Sequence, residues 1–229
     1  MAESKSIIEL QKVTRTYRLE SEVIHALNDV TFKVKPGEHV SITGPSGSGK
    51  STLVNIIGGL DTPTSGTVVV DGQNLSNMHD DKLSAYRNQT IGFVFQSFNL
   101  QPANTILENV MLPLVFSGVE PEERKKRATE YLNTVGLGNR LDHKPNQLSS
   151  GQQQLTAIAR ALITQPKILI ADEPTGNLDS ARGQEILEIL HKINEQGTTL
   201  LVVTHDPNTA HLSDRIVQMS DGRLTELRV

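Results

Sequence analysis

Residues 44–52 read GPSGSGKST, and the rest of the chain has to be built around that loop. Gly44 to Ser51 fits the spacing G-x-x-x-x-G-K-[ST]. The stretch EHVSITG (38–44) runs into it as a buried strand, and KSTLVNIIGGL (50–60) reads as the helix that follows. Strand, glycine loop and helix in that order are the context in which this pattern holds phosphates. Gly47 and Gly49 put no Cβ between the backbone N–H groups and an anion. The helix start adds positive potential at the same point. Lys50 can reach the β- and γ-phosphates of a nucleoside triphosphate, and Ser51 can offer its hydroxyl to Mg2+.

The flanking sequence supplies a sheet and its helices. Residues 7–35 carry β-branched residues in alternation, with turn signals near 19–22, and read as antiparallel strands. GTVVVDG (66–72), IGFVFQ (91–96), KILIADEP (167–174) and TLLVVTH (199–205) read as further strands. ARGQEILEILHKINEQG (181–197) is a helix between two of them. DRIVQMSDGRLTEL reads as a hairpin turning at Asp221-Gly222. Strands alternating with helices imply an α/β fold with a mainly parallel sheet. EPEERKKRATEYLNTVG spaces Ala128, Leu132 and Val135 along one helical face and stops at Gly136 and Gly138. It belongs to a helical insertion placed at about 97–160.

Two carboxylates end the strand ILIADEP. Asp172 stands where a strand-end carboxylate can hold Mg2+ through water, and Glu173 is placed to polarise an attacking water. His205 ends a later strand at the same carboxyl edge, where it can donate to a γ-phosphate oxygen. Gln96 ends IGFVFQ just before the helical insertion, and its amide can touch Mg2+ or the water. Tyr17 can stack on a base, although a lone tyrosine is more often packing.

Bulk properties narrow the function. A chain of 229 residues suits one large α/β domain or a core with a small subdomain. With 22 basic and 26 acidic residues the net charge is −4, so no global basic field points to nucleic acid. Cysteine is absent, which removes disulfides and thiolate metal sites. MAESKSIIEL lacks the apolar core of a secretory signal, and no apolar run approaches the ~20 residues of a membrane span. The expectation is a chain acting inside the cell, with any membrane role reached through partners.

Taken in order, GPSGSGKST, Gln96, LSSGQQQ (148–154), ILIADEP, GNLD (176–179) and His205 resemble the ATP-binding subunit of ABC transporters over nearly the whole chain. The resemblance implies a P-loop NTPase core with an N-terminal antiparallel β subdomain and a helical insertion carrying the signature motif. Residues 1–229 would then form a single ABC-type ATPase domain, with core at about 1–96 and 161–229 and the helical part at about 97–160. It also implies roles for individual residues. Tyr17 stacks on adenine. Gly44, Pro45, Ser46, Gly47, Ser48, Gly49, Lys50, Ser51 and Thr52 hold the triphosphate of ATP and, through Ser51, Mg2+. Gln96 couples and touches the metal, Asp172 assists the metal, Glu173 is the general base and His205 is the switch histidine. Asp179 lies in a loop at a dimer interface. Ser149, Ser150, Gly151 and Gln152 meet the γ-phosphate of ATP bound to a second copy in a head-to-tail sandwich.

Residues 98–119, FNLQPANTILENVMLPLVFSGV, together with ADEPTGNLDS, resemble the lipoprotein-releasing, macrolide-exporting and antimicrobial-peptide-exporting branch. That implies an integral-membrane permease partner and a place on the inner face of the cell membrane. A regulatory ATPase of the cell-division type is the neighbouring alternative. A chromosome-maintenance ATPase is disfavoured, because no sustained heptads separate Ser51 from Leu148. Two departures stand out: Ser150 replaces the usual second glycine of LSGGQ, and Leu155-Thr156 replace a common Arg-Val.

Overall fold

The computed structural model describes residues 6–19 and 22–227. In chain order the elements are β1 (Ile8–Leu19), β2 (Glu22–Val34), β3 (His39–Thr43), α1 (Lys50–Ile57), β4 (Ser65–Val70), β5 (Gln73–Asn74), α2 (Asp80–Thr90) and β6 (Ile91–Phe95). There follow α3 (Ile106–Phe116), α4 (Pro121–Thr134), α5 (Ser150–Leu162), β7 (Ile168–Asp172), α6 (Ser180–Glu195), β8 (Thr199–Val203), α7 (Pro207–Ala210), β9 (Arg215–Ser220) and β10 (Arg223–Leu227). Two short 3-10 turns, Gly138–Arg140 and Pro145–Gln147, precede α5. The chain divides into two compact units, 1–87 with 194–229, and 88–193.

The first unit contains the expected antiparallel sheet, in the order β2-β1-β4-β5. Glu20 and Ser21, at the tip of the expected β1–β2 turn, lie outside the described residues. A second set of strands in this unit places β3 between β8 and β9, parallel to both, with β10 antiparallel to β9. β8 is apolar after its first residue, whereas β3 carries His39 and Ser41 among its buried residues; both strands are buried along almost their whole length, as strands covered on two faces must be. Two Asp-Gly pairs turn the chain in two residues. Asp71-Gly72 has φ of 48° and 75°, and Asp221-Gly222 has 48° and 74°. Both pairs have the doubly positive φ that suits right-twisted hairpins.

The second unit has one parallel strand pair, β6 with β7, and the helices α3, α4 and α5. α4 buries Ala128 and Leu132, two of the three positions read from its periodicity; the third, Val135, lies half-buried at the helix C-cap, and Gly136 follows with φ 75°. α3 opens with a capping box between Thr105 and Glu108. Asn109, fully buried on α3, accepts from Gln101 N–H at 2.7 Å and donates to Gln101 O and Thr105 O. That one amide fixes the loop leading into the helix.

α2 is the element the periodicity did not reveal. Its sequence DDKLSAYRNQT offers only Leu83 and Tyr86 as apolar anchors, three residues apart. Tyr86 is 2% exposed and donates to Ile57 O at 2.7 Å, so burial pushes its phenol well above the usual range. One large side chain holds the helix where a stripe would normally do so.

Candidate active site

The first unit carries the phosphate loop. Three glycines fix its path, and two of them admit no side chain at all. A Cβ on Gly44 (φ 140°) would stand 2.2 Å from Met219 O, and one on Gly49 (φ 103°) would stand 2.2 Å from Ala26 O. The loop is therefore clamped between β9 and β2. Gly47, at φ 77°, has open space around its Cβ position; its requirement is conformational. Gly49 also caps α1, whose first residue is Lys50. Pro45, Ser46, Gly47 and Ser51 are exposed, whereas Lys50 is only 8% exposed. Its ammonium donates to Gly44 O at 2.9 Å and Pro45 O at 2.8 Å, so the cation is bent back over the loop. Ser48 is buried with its hydroxyl making no hydrogen bond, and Thr52 is half-buried on α1.

Tyr17, half-buried on β1, belongs to a small cluster. Its hydroxyl donates to Asp61 Oδ2 at 2.6 Å, and the Arg15 guanidinium lies over its ring, 4.6 Å from the centroid. Arg15 also pairs with Asp61 at 2.7 Å. One ring face is thus taken by a cation. His205 is exposed just beyond β8. The next residue, Asp206, caps α7: its carboxylate accepts from the hydroxyl and N–H of Thr209 and from Asn208 N–H. The Thr209 hydroxyl in particular holds that carboxyl below its ordinary range.

The second unit carries the carboxylates. Asp172 ends β7 half-buried. Glu173 follows with φ 48°, a left-handed conformation that an ordinary residue rarely adopts. Pro174 comes next, and a residue before proline is normally driven to extended backbone. Strain of this kind, about 1–3 kcal/mol, persists only where the surroundings over-determine it. Gly176 N–H closes the turn onto Glu173 O at 3.1 Å. Gln96, exposed just past β6, lies against this turn: a Cβ on Gly176 would stand 2.6 Å from Gln96 Nε2, and Asn177 Nδ2 donates to Gln96 O at 2.8 Å. The structure therefore brings Gln96 and the 173–177 turn together.

LSSGQQQ is the start of α5. Ser149 is its N-cap and forms a capping box with Gln152: Ser149 Oγ accepts from Gln152 N–H at 3.3 Å, and Gln152 Oε1 accepts from Ser149 N–H at 3.1 Å. Ser150 is the first helical residue and does not have positive φ, so its Cβ introduces no backbone strain. Gly151 is buried, and a Cβ there would contact Arg182 Cδ at 3.4 Å. Arg182 N–H donates to Asp179 Oδ1, and the Arg182 side chain pairs with Glu185 at 2.7 Å, which holds the guanidinium's proton more firmly. A cavity of about 200 Å3 opens here, lined among others by Ser149, Gln152, Leu155 and Arg182. Leu155 makes one wall of it apolar where the resemblance leads one to expect arginine.

A family model described as ABC transporter matches residues 27–176. The chain belongs to the ABC transporter family. It is 53% identical over 220 residues to an uncharacterized ABC transporter ATP-binding protein of Thermotoga maritima, covering 96% of this chain and 94% of that one. It is 45% identical over 218 residues to the macrolide export ATP-binding/permease protein MacB of Brucella melitensis, covering 95% of this chain but 34% of that one. The fold matches a solved dimeric cassette of Methanocaldococcus jannaschii, MJ0796, in a post-hydrolysis state with ADP and phosphate, at TM-score 0.89 and 50% identity over 97% of this chain and 99% of that one. As an ABC cassette, the chain binds ATP and hydrolyses it.

Sequence reading did not single out six residues that support these features. Arg15 and Asp61 frame Tyr17, yet nothing in their spacing announces it. Asn177 and Gly176 seat Gln96. Arg160 on α5 donates to Phe98 O at 2.8 Å and to Asn99 O, and its burial lowers its proton affinity. Gln154, 0% exposed, donates to Pro174 O at 2.7 Å. Gln154 did carry a signal, because it falls on the buried stripe of α5 with Gly151, Leu155 and Ile158.

Proposed function

We propose that this cassette powers a membrane transporter of the export type by closing on ATP as a head-to-tail dimer with a second copy of itself. The observation that carries the reading is the phosphate loop. Lys50 is bonded to the loop's own carbonyls at 2.8 and 2.9 Å, where phosphate oxygens would replace them. The loop from Gly44 to Thr52 holds the triphosphate through the backbone N–H groups of its non-proline residues, with Tyr17 under the adenine. Ser149, Ser150, Gly151 and Gln152 meet the γ-phosphate of the partner's ATP at the N-terminus of α5. Asp179 lies beside them at the interface. ATP acts as glue between protomers, and hydrolysis removes the contacts that the γ-phosphate supplied.

Glu173 accepts the proton of the water that attacks the γ-phosphorus, and His205 donates to a γ-phosphate oxygen. The donor set of Ser51 hydroxyl, Gln96 amide and Asp172 carboxylate is all hard oxygen, which fits Mg2+. Bound there with ATP, Mg2+ would neutralise charge on the β- and γ-oxygens.

The whole chain forms one ABC-type ATPase domain, its helical part at about 97–160. No helix among the described residues is long and apolar enough to cross a membrane. A permease partner supplies that part and holds the cassette on the inner face of the membrane. Phe116, 80% exposed beside Val115 at the end of α3, supports a docking surface for it. The test is phosphate release from ATP by the purified chain, alone and with permease in membranes. Mg2+-dependent release, lost in Lys50→Ala and stimulated by the permease, is expected. Absence of Mg2+-dependent release even with permease would overturn the reading.

A further inference from the structure

Glu173 needs something to hold it. Its left-handed backbone before a proline is disfavoured twice over, and β7 ends one residue earlier. Pro174 has no N–H, so its carbonyl is the only backbone group through which that residue can be fastened. That carbonyl receives the Gln154 amide at 2.7 Å, from a side chain with no exposure to solvent. An amide facing a carbonyl must present its NH2, so the orientation of Gln154 is fixed by the contact. The other amide atom, Oε1, is buried without a hydrogen bond. A fully buried amide satisfied on one side only is costly, and the donated bond is what the position retains it for. The same helix is anchored further along, where Arg160 holds the carbonyls of Phe98 and Asn99 beyond Gln96.

We infer that Gln154 is a positioning residue for hydrolysis: by donating to Pro174 O it holds the strained Glu173 turn in the geometry that activates water. The inference rests on the proposed role of Glu173 as the base. Gln154, with no exposure to solvent, acts through Pro174 O. Its bond also fastens the Glu173 turn to the helix that begins at Ser149, so a displaced α5 drags the base with it.

The experiment measures steady-state ATP hydrolysis by the full chain, the parent against Gln154→Leu and Gln154→Glu. Parent hydrolysis, with its loss in Glu173→Gln, tests the role of Glu173; the Gln154 variants are scored against that parent rate, so the two failures are distinct. Gln154→Leu fills similar space and cannot donate. Its kcat is expected to fall about tenfold or more while the KM for ATP stays within about twofold. Gln154→Glu can donate only when protonated, and burial raises that carboxyl. Its activity relative to the parent is expected to recover from about pH 9 to about pH 6, whereas the Leu ratio stays flat. Parent-like kcat in both variants overturns the inference. So does a loss in both that is equal at every pH, or one that tracks weaker ATP binding and a lower Tm, since a packing role alone would give that.

Discussion

The two serines of LSSGQQQ look interchangeable in the sequence but sit in different conformations. Ser149 caps α5 through its hydroxyl, so Ser149→Ala removes a hydrogen bond worth about 1 kcal/mol and lowers Tm by a few degrees. A Tm equal to the parent's would contradict the capping role. Ser150 sits at the first helical position without positive φ, and its backbone N–H survives whatever the side chain. Ser150→Gly is therefore expected to bind ATP and turn over within about twofold of the parent, because no strain is relieved. A clear gain in turnover would show that the side chain, and not the backbone, limits dimer closure. The departure from the LSGGQ pattern was legible in the sequence, but the absence of backbone strain at Ser150 was not, since it depends on a dihedral angle. Glu173 shows the converse. The role proposed for it follows from ILIADEP, whereas its left-handed backbone does not.

Among the elements, those with a strong period or a glycine signal were readable and those held by single contacts were not. The β9–β10 turn at Asp221-Gly222 and the α4 face of Ala128 and Leu132 follow from two-residue and 3.6-residue patterns. α2 depends on the one buried Tyr86 hydroxyl, and the approach to α3 depends on the Asn109 amide. Neither leaves a periodic trace. The phosphate loop lies between these cases. Its pattern is plain, but the reason for each glycine is tertiary. Gly49→Ala would drive a Cβ to 2.2 Å from Ala26 O in a left-handed conformation, so it is expected to destabilise the fold by more than about 2 kcal/mol. Gly47→Ala meets no atom within 4 Å and should cost only its dihedral penalty, about 1–2 kcal/mol. Denaturant melts of both variants check the order; equal loss would contradict the clamp on Gly49.

For the molecule as a whole, the sequence motifs are distributed over two units. The phosphate loop, Tyr17 and His205 stand in one, and Gln96, the carboxylates and α5 in the other. α5 connects the features of its own unit, with Ser149 at its start, Gln154 on the Glu173 turn and Arg160 on the segment after Gln96. An ATPase in which a second copy completes each site should stall when its base is neutralised, because bound ATP then stays between the protomers. The most direct measurement is the mass in solution of Glu173→Gln with ATP and Mg2+, by size exclusion with light scattering. The account predicts a species of twice the monomer mass that appears with ATP and is absent with ADP. A monomer under both conditions would contradict it.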